Sequence, residues 1–94
     1  MMYLRMEWRH DSETEPSTFF IEVGDDNYEV RKVEIFKDGR SHRVGLNGAD
    51  DIGLAQIPVD SIEEINLDPD FHAIEIDATY FETEWEKAPE ATWS

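Results

Sequence analysis

His10, Asp11 and Ser12 are the three side-chain types of a hydrolytic triad, standing next to one another in the chain. Nucleophile, base and orienting acid must line up through space, an order that chain neighbours rarely reach, and no Gly-x-Ser-x-Gly elbow presents the serine. The spacing predicts instead a structural His10 beside Trp8, its imidazole bonded to the sheet or to an acid of the following loop. Asn66, Asp68, Asp70 and His72 recur at every second position, like the first ligands of a calcium loop. Such a loop also needs a glycine at its sixth position and a glutamate at its twelfth, where this chain has Phe71 and Asp77. A solvated turn is expected there, and no metal. The chain has no Cys, so thiol catalysis, disulfides and Cys-ligated zinc fall away together, which suits a reducing compartment. No cofactor motif occurs, and the chain is expected to act without a cofactor and not as an enzyme.

What the sequence does carry is charge. Residues 44–86 hold twelve Asp and Glu and no Lys or Arg, whereas residues 1–47 hold ten acids and seven bases. The net charge is −15 and the isoelectric point about 4.2. A field of that sign favours cationic partners and opposes nucleic acid, anionic substrates and membrane surfaces. Arg31 and Lys32, with Lys37, Arg40 and Arg43 on the next hairpin arm, form a basic cluster too small against that total to bind nucleic acid directly. Its expected work is pairing with Glu22, Glu29 and Glu34 across neighbouring strands, at up to about 1 kcal/mol per pair. Solubility and adaptation to salt are the simpler causes of the acidic excess, against which any binding role has to be weighed.

Two candidate sites follow. The first is an acidic surface made by Glu63, Glu64, Glu82 and Glu86 on the solvent sides of two expected helices, with Asp50, Asp51, Asp68 and Asp70 beside them. Gathered on one face, these acids would approach the charge density of DNA and could fill a groove built for nucleic acid. The second is a small-molecule pocket in which Trp8, His10 and Arg31 act together.

The elements that must position these residues are legible in the periodicity. Leu4, Met6, Trp8 and His10 alternate with charged residues, as in a strand with one buried face, and Phe19, Ile21 and Val23 repeat the pattern. Residues 24–27 are a turn. The β-branched run of residues 28–36 loses its alternation between Val30 and Val33, which predicts a bulge near Arg31 and Lys32 or burial on both faces. Asp38-Gly39 predicts a two-residue hairpin loop leading into a strand over 41–46. Residues 47–53 read as a long loop. Ser61 and Glu64 have capping-box spacing for a short helix over 61–66. A strand over 72–76 follows, with Ile74 and Ile76 inward, and Asp77 then caps a helix whose Phe81, Trp85 and Ala88 form one stripe before Pro89 ends it.

With 94 residues the chain is expected to form one domain over 1–88, with residues 89–94 as a flexible tail. The fold class is α+β, a single-layer antiparallel sheet of about five strands packed by two short helices. No stretch approaches the roughly 20 apolar residues of a membrane span, and the first residues break their apolar run with charges, unlike a signal peptide. A cytoplasmic protein of bacterial or phage origin is expected.

Trp8-x-His10, Tyr28-Glu29-Val30-Arg31-Lys32-Val33-Glu34-Ile35-Phe36 before Asp38-Gly39, Ile62-x-x-Ile65-Asn66-x-Asp68-Pro69-x-Phe71 and Phe81-Glu82-x-x-Trp85 occur in that order. In these motifs the chain resembles a bacterial family of small stand-alone domains. The resemblance covers nearly the whole chain and implies no established activity. The acidic charge leads to an expected non-enzymatic inhibitor or immunity-type protein. Its partner would be a basic, nucleic-acid-handling protein, such as a toxin or an antiphage defence complex.

Overall fold

The computed structural model describes residues 1–45, 54, 55 and 57–89. Asp50 and Asp51, the loop expected over 47–53 and the tail beyond Pro89 lie outside the described residues. Strands β1 (Met2–Trp8), β2 (Thr18–Val23), β3 (Glu29–Ile35) and β4 (Ser41–Gly45) are followed by helix α1 (Ile62–Ile65), strand β5 (Phe71–Ile76) and helix α2 (Ala78–Lys87). The five strands form one antiparallel sheet in the order β4-β3-β2-β1-β5. Three hairpins thus build a meander, and the chain then crosses to the far side of β1 to add β5. The expected α+β architecture is the one observed.

Strand alternation gives the sheet two different faces. Leu4, Phe19, Ile21 and Val23 form a buried cluster on one face, with Met6, Trp8 and Val59 packed against it. Phe20, Val33, Phe81, Trp85 and Ala88 form the cluster on the other, where α2 lies. The expected stripe of α2 is therefore its buried stripe. Asp77 caps this helix by accepting a hydrogen bond from the Tyr80 backbone N–H, and Ser61 and Glu64 make the reciprocal capping box of α1.

Several local expectations change. The extra residue of the bulge is Val30, because Glu22 faces Arg31 while Val23 faces Glu29. Gly45 lets this bulge form: its φ is +105°, and a Cβ there would stand 2.5 Å from the Val30 carbonyl oxygen. Between β3 and β4 the hairpin loop inside the Phe36–Arg40 pair has three residues, 37–39, rather than two. Phe36 N–H bonds to Arg40 O at 2.8 Å and Gly39 N–H to Phe36 O at 3.0 Å, a turn closed by Gly39 at φ +91°. Ile74, expected inward, is 41 % exposed because α2 lies mainly over β1, β2 and β3, and of the two isoleucines only Ile76 packs against its cluster. Ala73 is the buried residue of that strand.

Both outer strands have their central backbone groups occupied. Asn66 Nδ2 donates to Ala73 O at 3.0 Å and Ala73 N–H donates to Asn66 Oδ1 at 2.7 Å, so one side-chain amide stands in for a neighbouring strand beside β5. On β4, Arg43 N–H donates to Pro89 O at 2.8 Å, which ties to the sheet a residue expected to begin the tail. Such occupied edges resist pairing with a second chain.

Candidate functional site

Arg31 sits at the centre of the α2 face, 8 % exposed. Its Nε and Nη2 donate to the two oxygens of Glu22 at 2.7 and 2.9 Å, and Nη1 reaches Glu82 at 3.1 Å. The guanidinium lies 4.9 Å from the ring centroids of both Phe81 and Trp85. Hydrogen bonds from Arg31, outweighing the cost of burial, hold the Glu22 carboxyl below its usual pKa. A hydrogen bond to that same carboxylate raises the pKa of Tyr3. Glu22 and Glu82 likewise raise Arg31 above the ordinary guanidinium value.

On the opposite face Lys32, also buried, lies 3.1 Å from Glu29 and 3.4 Å from Glu34, and Glu34 is 2.6 Å from His42. Of the expected pairs, Arg31–Glu22 forms across neighbouring strands, whereas Lys32–Glu29 and Lys32–Glu34 form along β3 itself. They are buried rather than exposed, however, so removing one partner costs far more than the surface value.

Trp8, His10 and Arg31 do not form a pocket. Trp8 stacks on Phe71 at 5.8 Å and meets the His10 ring at a tilt at 4.2 Å, on the face away from α2. Arg31 pairs with Glu22, which pairs with Tyr3 at the other end of β1. His10 is spent on its own loop, with Nε2 2.8 Å from Pro16 O and Nδ1 accepting from Ser12 N–H at 3.0 Å. These contacts place the proton on Nε2 of a neutral ring. The Ser12 hydroxyl faces Thr14 and not the imidazole.

The acidic surface is also divided. α2 covers the face of Phe20 and Val33, while α1 lies over the other face, where Glu64 and Ile65 border a cavity with Met6 and Ile21. Glu63 and Glu64 are therefore across the sheet from Glu82 and Glu86, and Glu82 is a partner of Arg31. The common four-carboxylate face expected from helical spacing does not exist, since that spacing fixes a side chain's direction on its own helix and not which face of the sheet the helix takes. Asp68 and Asp70 do stand exposed beside α1, the Asp68 carboxylate accepting from Asp70 N–H at 2.9 Å. Asn66 is taken by Ala73, and among the described residues no group of three or more His, Asp or Glu could hold a metal ion.

The structure assembles a different feature, a groove of about 400 Å³ between α1 and the sheet. Its floor is Met6, Ile21, Val59, Ile65 and Phe71, and its rim carries Glu29, Asp60, Glu64 and Asp68. No Lys, Arg or His among the described residues lines it. A second depression on the far side of α1 brings Glu63 and Glu75 next to Asp60 and Glu64. Sequence reasoning missed the groove because its walls come from β1, β2, β5 and the chain leading into α1. The acids at 60, 63, 64 and 68 were its one visible signal.

Fold and groove together define a small α+β domain with an acid-rimmed apolar recess. The chain belongs to the family described as a domain of unknown function, DUF6881, whose model matches residues 2–90. No curated protein and no solved structure matches it.

Proposed function

We propose that this chain is a non-enzymatic binding protein whose α1 side docks on a basic protein and blocks it, as an immunity-type protein or inhibitor would. The observation that supports this is that the fold engages its central bases in ion pairs while leaving the acids around α1 without them. The bases of β3 and the hairpin after it are engaged within the fold, Arg31 with Glu22 and Glu82, Lys32 with Glu29 and Glu34, and Arg40 with Asp38. Around α1, by contrast, Asp60, Glu63, Glu64, Asp68 and Glu75 are exposed and make no ion pair with a described residue.

Close imitation of nucleic acid is not part of the proposal. A net charge of −15 over 6037 Å² is about one charge per 400 Å², against on the order of 100 Å² for DNA. With the four glutamates divided between two faces, no single side makes up that difference. Steering by the acidic side, then docking on a nucleic-acid-handling or other basic protein, needs only complementary sign.

The test is association kinetics with purified basic proteins from the same genome, toxins and nucleases first. Asp60→Lys/Glu63→Lys/Glu75→Lys should slow association strongly, while Glu86→Lys on α2 should not. The parent's rate should fall as the Debye length shrinks from about 10 Å at 0.1 M salt to about 3 Å at 1 M. Equal rates for both variants, or indifference to salt, would return the acidic excess to solubility or salt adaptation.

A further inference from the structure

We infer that the groove under α1 is the receptor for an arginine side chain of the partner, flanked by apolar residues; this rests on the docking side proposed above. The floor and the rim ask for different parts of one ligand. Met6, Val59, Ile65 and Phe71, each half-buried, present an apolar surface with buried Ile21 behind them, suited to the methylene stem of a long cationic side chain. The rim supplies carboxylate oxygens that the fold leaves unused. Glu64 spends Oε1 on Ser61 and keeps Oε2, Asp68 spends Oδ1 on Asp70 N–H and keeps Oδ2, and Asp60 makes no hydrogen bond or ion pair with a described residue.

Four unspent carboxylate oxygens on three residues around one mouth match a guanidinium, which offers five N–H donors in a planar fork, better than an ammonium. Charge decides the occupant's sign, since no cation among the described residues lines the groove. The apolar floor decides that the cation arrives on a hydrocarbon stem beside apolar neighbours and not as a bare metal ion.

The experiment is a titration of the isotopically labelled full chain with the peptide acetyl-Gly-Leu-Arg-Leu-Gly-amide, followed by NMR. Its controls are the same peptide with citrulline, a neutral isostere, and hexalysine. The arginine peptide should shift the methyl signals of Met6, Ile21 and Ile65, and the citrulline peptide should bind about tenfold more weakly. Asp60→Asn, at a position without structural bonds, should weaken the arginine peptide several-fold and leave the protein's own spectrum otherwise unchanged.

Equal binding of the citrulline peptide would overturn the inference. So would shifts confined to Glu63 and Glu75, as hexalysine attracted by charge alone would give. In either case the slowed association of the Asp60/Glu63/Glu75 reversal could still stand, so failure of the groove and failure of the docking side are distinguishable.

Discussion

Asn66 and Ala73 face each other as though they belonged to adjacent strands, with both ends of the Asn66 amide bonded to the backbone N–H and C=O of Ala73 at 2.7 and 3.0 Å. Ala73 is 1 % exposed with the amide in place, so losing the amide leaves its N–H and C=O without a protein partner at an opened edge. Asn66→Ala should cost about 1–3 kcal/mol, read by chemical denaturation. It should also free the edge of β5 for pairing, so sedimentation should show self-association absent from the parent. Asn66→Asp keeps an acceptor for Ala73 N–H but sets a carboxylate oxygen against Ala73 O, and should cost at least as much. A monomer of unchanged stability in both variants would show that the amide does not guard the edge.

Among the described residues Arg31 is the ion-pair partner of the buried Glu22 carboxylate. Arg31→Met should therefore destabilise by about 3–5 kcal/mol, leaving a buried charge uncompensated. Replacing both partners, as Arg31→Met/Glu22→Leu, should restore much of the loss, because a buried pair contributes little against apolar residues of similar volume. Arg31→Lys should fall between, since one ammonium cannot fork to two carboxylates and lie flat against Phe81 and Trp85. A double variant as unstable as the single one would locate the effect in packing and not in charge.

The lowered pKa of Glu22 makes this pair sensitive to acid. Because the folded value lies below the unfolded one, its contribution to stability is fully present above the ordinary glutamate range near 4.3. It is lost as pH falls through the folded pKa. Stability of the parent, measured by denaturant titration, should decline over that acid window more steeply than that of Glu22→Gln. Parallel curves for the two proteins would remove Glu22 from the acid transition.

Periodicity and capping chemistry located every element, because alternation, the Ser61–Glu64 box and the Asp77 cap are local and need no tertiary partner. The pairing of Arg31 with Glu22 was legible for the same reason, since neighbouring strands in a meander meet by register, whereas Lys32 meets Glu29 and Glu34 along its own strand. Residues brought together across the sheet were not legible. Glu82 could be placed on the outer side of its helix, but not within reach of Arg31, and Asn66 looked like a turn residue because its target lies in the next strand. The groove depends on which face α1 covers, which the helical spacing of α1 does not encode.

Trp85 is held between two guanidinium groups, with Arg31 4.9 Å and Arg43 5.0 Å from its ring centroid. Arg43 Nη1 also donates to Trp85 O at 3.2 Å, placing a cation at the C-terminal end of α2 where the helix dipole favours it. The ring therefore joins α2 to β3 and β4 by packing and by charge at once. Trp85→Ala should remove both and cost about 3–5 kcal/mol, a large share of the roughly 5–15 kcal/mol that holds a small domain folded. Trp85→Leu refills part of the volume without an aromatic face. It should recover part of the loss and remain below the parent by about 1–2 kcal/mol, the order expected for cation–π contacts. Thermal and denaturant unfolding of the three proteins separates the contributions. A Trp85→Ala protein melting within a degree or two of the parent would show that α2 is anchored elsewhere, and a Trp85→Leu protein equal to the parent would assign the ring's role to packing alone.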